Sequence, residues 1–447
     1  MLVNFSVKNY KSYKDEANFT MRKAPRIRDL SYSLLKEKIK SKNFEVLSSS
    51  VLYGPNASGK SNILDAMNTL KHIILRGSIK NAPPIAGTPN AQSNLELIPF
   101  IFGAENPINF KIEFIYNNFH YLYELSINVG EFLSSSQFRE IEYEKLDINF
   151  VNIFERERNN LKRLSILKDY KDDFIDDIDT DKIKSMFNET LVEDSIFLTN
   201  GFKNISKKFS QDIIKWFESD LIIIPKLEGT FSLPIFEDKK VYIDTFVNNI
   251  AKQSGISGSD IAYIKDESSK TVTVSLIQKD KDSSKGTFIP VNVVESYGTA
   301  RIIQLMPIIL SVLQNGSVLA VDELDGALHP MLMMNIISIF HNDEININNA
   351  QLIFNTHNPI YLNNSIFRRD EIKFVEKDLN THSSVLYALS DFGTKGENSV
   401  RNTTDYIKNY FMNKYGAILD IDYTDIFKDA MRGVINEKSH VSRRRRG

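Results

Sequence analysis

Residues Gly54-Pro-Asn-Ala-Ser-Gly59-Lys60-Ser61 spell G-x-x-x-x-G-K-[ST] in full, and no other stretch of the 447 residues constrains the chain as much. Such a loop works only where a strand delivers it and a helix carries it away. Val46–Tyr53 reads as a strand running into Gly54, and after Ser61 the apolar residues Ile63, Met67, Leu70 and Ile74 recur at three- and four-residue steps, one buried face of a helix. The chemistry follows from the residue types. The loop from Gly54 through Pro55, Asn56, Ala57, Ser58 and Gly59, with the helix start at Lys60, Ser61 and Asn62, is expected to turn backbone N–H groups toward phosphates. Lys60 would neutralise the β and γ oxygens and the Ser61 hydroxyl would ligate Mg²⁺. ATP and Mg²⁺ are therefore the expected ligands, and adenine is preferred because Asn413-Lys414-Tyr415 runs on to Gly416 rather than completing an Asn-Lys-x-Asp guanine-recognition element.

Val318–Val321 is a short apolar run that ends in Asp322-Glu323. A carboxylate buried there without a cation would be costly, which makes a metal site the economical reading. Asp322 is expected to hold Mg²⁺ through water, and Glu323 to polarise the attacking water as general base. Two further runs, Gln351–Phe354 and Ile372–Val375, read as buried strands of a parallel or mixed sheet. The first leads into Asn355-Thr356-His357, and a histidine at the end of a strand beside the carboxylate strand can reach a γ-phosphate. His329, in Leu328-His329-Pro330, is open to either a functional or a structural role.

Composition narrows the rest. Lys plus Arg number 55 and Asp plus Glu 57, a formal charge of -2, so there is no global basic field and any nucleic-acid contact would need a local patch. The absence of cysteine removes disulfides, thiolate nucleophiles, iron–sulfur clusters and cysteine-based zinc sites. No leader or spanning segment is evident, so a cytoplasmic protein with no membrane partner is expected. Val3, Phe5 and Val7 alternate, and the alternating runs Phe110–Tyr116 and Phe119–Ile127 flank Asn117-Asn118, a hairpin. Dense mixed charge from 150 to 220, as in Glu155-Arg-Glu-Arg158, suggests exposed helices. Strand character returns at Thr271–Gln278 and Phe288–Val294. Three units result: 1–149, a charged helical insertion at 150–220, and 221–447. Asp177-x-Asp179-x-Asp181 lacks the glycine and glutamate of a calcium loop, with Lys182 and Asn188 in their places, and reads as a solvated acidic face.

The phosphate loop, Asp-Glu followed by Leu-His-Pro, and Thr-His after a strand together resemble the ABC-type ATPase heads of SMC, RecF and OLD-family proteins. The resemblance implies an α/β fold: an ABC-type P-loop head with a mixed sheet and an inserted, largely helical subdomain. It also implies a serine-glycine signature that caps the nucleotide of a second subunit. Glu295-Ser296-Tyr297-Gly298-Thr299 occupies that place, so Ser296 and Gly298 become nucleotide-binding residues, with an ordinary helix cap as the alternative. More narrowly, the opening Phe5–Tyr13, Asp322–Pro330, Arg369–Glu376 and Lys414–Ala417 are similar to the AAA15 group of abortive-infection ATPases, the AbiL-like defence proteins. Two departures stand out. Lys11 sits where such heads often carry arginine, and only Gln92 offers itself as a glutamine-loop residue. The likeness implies a head-to-tail homodimer, or a higher oligomer built from such dimers, acting as an ATP-driven switch that controls a separate toxic effector, a nuclease or other toxin. A RecF-like DNA-binding repair ATPase is the alternative, and nucleic acid remains a possible partner. The 90 residues after His357 are too few for both the end of the sheet and a nuclease domain. Asp420, Asp422 and Asp425 are assigned to a surface loop, and the role of Arg443–Arg446 stays open between a phosphate-binding tail and a disordered end.

Overall fold

The computed structural model describes residues 1–25, 27, 30–81, 95–103, 106–130, 139–175, 179–225, 241–255, 259–265, 271–278, 286–326, 328–393, 400–401, 404–419 and 422–431. Gln92, Asp177, Asp420 and Arg443–Arg446 lie outside the described residues.

The strand Ser49–Tyr53 is buried at every position and lies inside a six-stranded sheet. Its order is Leu221–Ile224, Val318–Val321, Gln351–Asn355, Ser49–Tyr53, Ile372–Lys377 and Ser384–Ala388; the first five run parallel and the last antiparallel. The near-continuous apolar runs are what a sheet covered on both faces requires. Period-two alternation sends side chains to separate cores. Val318 and Ala320 join one, Leu319 and Val321 the other. Because neighbouring strands run parallel, their carboxyl ends open on one edge, where Gly54, Asp322 and Thr356 come side by side.

On one face lies the helix Lys60–Arg76. Its buried Ile63, Met67, Leu70 and Ile74 share a core with Val318, Ala320 and Ile353 below and with Val7, Phe110 and Ile112 above. The latter belong to a seven-stranded antiparallel sheet ordered Asn160–Leu164, Val151–Glu157, Glu140–Ile148, Phe119–Asn128, Ile108–Tyr116, Leu2–Lys8 and Ala17–Thr20. Gln351 joins the two sheets: its amide donates to the carbonyls of Leu2 and Leu47 at 3.0 Å each and accepts from Leu2 N at 2.6 Å. The helices Tyr297–Asn315 and Pro330–His341 cover the other face, packing Leu305, Ile309, Ile336 and Ile337 on Val321 and Phe354. A four-stranded sheet, Val241–Ile243, Ser259–Lys265, Thr271–Gln278 and Gly286–Pro290, carries the helix Thr245–Gln253, whose Val247 and Ala251 cluster with Ile303. Among the described residues no helix is long and apolar enough to cross a membrane.

The α/β class and the mixed sheet are as expected, and two segments differ. Val46–Tyr53 is not one strand. Lys42–Leu47 pairs with Leu34–Ile39 in a separate hairpin, and the chain changes sheets at Ser48, a switch that an unbroken apolar run does not announce. The segment 150–220 holds the helices Thr180–Thr190, Phe197–Asn200 and Lys207–Lys215, yet it begins with two strands, Val151–Glu157 and Asn160–Leu164, that extend the antiparallel sheet. Its charges misled because one is inside. Arg156 is fully buried, 3.4 Å from Glu144, and donates to the carbonyls of Val192 at 2.7 Å and Ser195 at 2.6 Å. Nor is the segment set apart: Trp216 stacks on Phe114 with centroids 4.0 Å apart, and Phe209 meets Phe119 at 5.0 Å.

Candidate nucleotide site

The phosphate loop is held open by neighbours that crowd out side chains. A Cβ at Gly54 would collide with the Val375 carbonyl, and one at Gly59, whose φ is +107°, would lie 2.5 Å from Ser12 Oγ and 2.8 Å from Ser384 Oγ. No side chain caps the helix that starts at Lys60; the Asn62 N–H bonds the Gly59 carbonyl at 3.1 Å, and the helix start at the end of the loop is where an anion would be favoured. Three residues brace the outside: Ser384 donates to the Ser58 carbonyl at 2.6 Å, Tyr13 to the Gly59 carbonyl at 3.0 Å, and Asn62 to Ser12 Oγ at 2.8 Å. Lys60 is buried and donates to the carbonyls of Gly54 at 2.8 Å and Pro55 at 2.9 Å. Burial pulls its pKa down to about 8 against the raising influence of Asp322 and Glu323.

Ser61 Oγ lies 3.0 Å from Asp322 Oδ1, and Asn355 donates to the same carboxylate oxygen. A hydroxyl and a carboxylate at the mouth of a phosphate cradle form an oxygen donor set suited to Mg²⁺, which takes the rest of its shell from phosphates and water. Among the described residues no three His, Asp or Glu side chains gather into a protein-only metal cluster, so Ser61 and Asp322 are the pair that would hold it. The residues fit the ion.

Glu323 follows with its side chain 65% exposed, and His357 Nε2 lies 3.7 Å from its Oε1. Partial burial and the Lys60 charge lower the His357 pKa against the pull of Glu323, Asp325 and Asp322, which leaves a neutral imidazole at neutral pH. The adjoining Thr356 donates to Asp325 at 2.7 Å, and burial raises the Asp325 pKa.

The structure thus brings Gly54–Asn62, Asp322, Glu323 and His357 to one sheet edge. Ser296 and Gly298 are elsewhere in their bonding. Ser296 caps the helix Tyr297–Asn315, accepting from Thr299 N at 3.1 Å, and among the described residues no hydrogen bond joins it to the phosphate loop. His329 has the structural role: its Nδ1 caps Pro330–His341, accepting from Met331 N at 3.2 Å. Lys11 is committed to Asp65 at 2.7 Å and Glu96 at 2.5 Å. Sequence reasoning missed Asn355, Ser384 and the bracing roles of Ser12 and Tyr13. Ser12 and Tyr13 lay in the opening Phe5–Tyr13 and Asn355 beside Thr356-His357, stretches whose signal pointed to other residues, whereas Ser384 at a strand end carries none.

No curated protein matches the chain. Among solved structures it is similar to the SMC head domain from Thermotoga maritima, at 14% identity and a TM-score of 0.34, over 87% of this chain and 98% of that one. The family described as "AAA domain, putative AbiEii toxin, Type IV TA system" matches residues 49–363. That match begins with the phosphate-loop strand, takes in Asp322, Glu323 and His357, and spans well over half the chain, so the protein belongs to this AAA-domain family.

Proposed function

We propose that the chain is a Mg²⁺-dependent ATPase that serves as the switch of an antiviral, abortive-infection system and controls a separate toxic effector. The observation that carries the ATPase reading is the 3.0 Å contact between Ser61 and Asp322, 261 residues apart in sequence. It supports the reading because a phosphate loop beside a carboxylate strand end is the pairing that a Mg²⁺-nucleotide site uses. In this reading Lys60 leaves the Gly54 and Pro55 carbonyls for the phosphates. Mg²⁺ held by Ser61 and Asp322 would supply charge neutralisation, Glu323 takes the proton of the attacking water, and neutral His357 presents its ring to the γ-phosphate. Ser296 and Gly298 act across a head-to-tail homodimer, which accounts for a signature helix whose cap faces solvent rather than its own loop. The defence role rests on the family and on the narrower likeness to AbiL-like AAA15 ATPases, and a cytoplasmic setting goes with it.

A second reading, a RecF-like DNA-binding ATPase, has one observation in its favour: Arg22, Lys23, Lys36 and Lys38 line one open groove, although Glu37 and Glu45 line it too and Glu45 is paired with Lys23. The purified chain separates the two. It is expected to hydrolyse ATP with Mg²⁺, to leave DNA and RNA uncut, and to retain a partner encoded beside it. Nucleotide-dependent DNA binding that weakens steeply with salt supports the second reading instead. Cleavage of nucleic acid by the lone chain contradicts the assignment of toxicity to a separate effector.

A further inference from the structure

Glu323 is a non-glycine residue at φ +49°, in the left-handed region that a side chain with a Cβ enters at a cost. Such a conformation persists only where the surroundings over-determine it. Here both backbone polar groups of Glu323 are gripped by side chains. Its N–H donates to Asn355 Oδ1 at 2.5 Å, and its carbonyl accepts from Arg301 at 2.5 Å as well as from the Gly326 N–H at 3.0 Å across the turn. The same guanidinium nitrogen lies 3.4 Å from the Leu324 carbonyl, so one side chain spans two successive peptide units of the turn.

Arg301 is an expensive way to fill that space. It is 8% exposed, its Nε finds no partner among the described residues, and its hydrogen bonds go to carbonyls, with Asp325 the carboxylate that feels its charge. An apolar residue on the same helix face would pack there without the desolvation of a charge. A second observation shows how closely the guanidinium is seated: a Cβ at Gly326 would stand 3.2 Å from Arg301 Nη1 and 3.2 Å from the Glu323 carbonyl. The turn therefore leaves room for the guanidinium and for nothing more.

We propose that Arg301 is a positioning residue for hydrolysis, clamping the Glu323 carbonyl so that this residue stays left-handed and presents its carboxylate at the mouth of the phosphate loop. The inference rests on the reading of Glu323 as the base. Arg301 touches neither phosphate nor water in this account; it acts on the direction of Glu323 alone, and so belongs to kcat rather than to nucleotide affinity. Arg301 also sits five residues after Ser296 on one rigid helix, roughly 7.5 Å along its axis, so a displacement of the helix start reaches the clamp.

The test measures ATP turnover, KM and direct nucleotide binding for the wild-type chain, Glu323→Gln, Arg301→Met, Arg301→Lys and Gly326→Ala, with a thermal melt for each. A roughly hundredfold fall in kcat is expected for Arg301→Met, with unchanged nucleotide binding. Arg301→Lys, which restores one donor, should recover part of the rate. Gly326→Ala, which keeps the Arg301 side chain but crowds its guanidinium and the Glu323 carbonyl, should lower kcat in the same direction and guards against a misfolded Arg301→Met. If Glu323→Gln loses turnover while Arg301→Met and Gly326→Ala both keep wild-type kcat, the clamp is overturned and the base stands. If they lose nucleotide binding in step with kcat, a merely structural role replaces the clamp. If Glu323→Gln turns over normally, or the wild-type chain does not turn over, the hydrolysis reading falls and takes the clamp with it.

Discussion

In the structure the Lys60 ammonium is bound to two carbonyls of its own loop, in surroundings that bring its pKa down to about 8. Phosphate binding favours the charged form, so the sign of a pH effect follows directly. Below about 8 the ammonium is already protonated and ATP affinity should be flat with pH. As pH rises through 8, free protein loses the proton that the complex needs, and affinity should fall, by at most about tenfold per unit. Titration calorimetry between pH 6.5 and 9.5 reads this, and an affinity that stays level to 9.5 contradicts the buried, phosphate-facing placement of Lys60. Asn355 offers a second test at this scale. It supplies the partner of the Glu323 N–H and a donor to Asp322, so Asn355→Leu leaves the part-buried Glu323 N–H unpaired and the Asp322 carboxylate with Ser61 alone, and should cost roughly 1–3 kcal/mol in urea denaturation. Residues like Lys60, Ser61 and Asp322 are legible in sequence because their spacing is dictated by a phosphate and a cation. Asn355 and Arg301 are not, because what they serve is the backbone of another segment, and no local pattern records a contact 22 or 32 residues away.

Among the elements, Val318–Val321, Gln351–Asn355 and the helix Lys60–Arg76 were readable because each has one environment along its length: buried on both faces for the strands, buried on one for the helix. Val151–Leu164 was not. A strand with Arg156 at 0% exposure imitates the mixed charge of a solvated helix, since the Glu144 partner that neutralises it lies on another strand. The consequence can be measured. Arg156→Met leaves Glu144 without its cation and should lower stability by roughly 3–5 kcal/mol, read as a shift of the urea midpoint, with nucleotide affinity unchanged in the folded fraction. Deleting residues 155–185 removes the edge strand Asn160–Leu164, the first half of the helix Thr180–Thr190, and Leu161, Leu164, Leu167 and Phe174 from the shared core, so that protein should fail to fold cooperatively. A deletion product that melts sharply and still hydrolyses ATP would show that the segment is a separable insertion.

For the whole molecule the proposed head-to-tail pair needs two copies, and what supports it is that, among the described residues, Ser296 bonds to Thr299 of its own helix and to no part of the phosphate loop. Lys60→Ala spoils one half of a composite site and Ser296→Arg the other. A mixture of the two inactive proteins should recover part of the turnover through heterodimers that keep one site intact. If heterodimers form and no mixture recovers activity, Ser296 is a helix cap only and the head-to-tail arrangement loses its support. Beneath this lies the claim that one sheet edge binds nucleotide through Lys60 and hydrolyses it through Glu323, with the two roles on different residues. The direct measurement sets ATP binding beside phosphate release for Lys60→Ala and Glu323→Gln: Lys60→Ala should lose binding, whereas Glu323→Gln should bind as wild type and release no phosphate, and a Glu323→Gln protein that turns over normally would contradict the account.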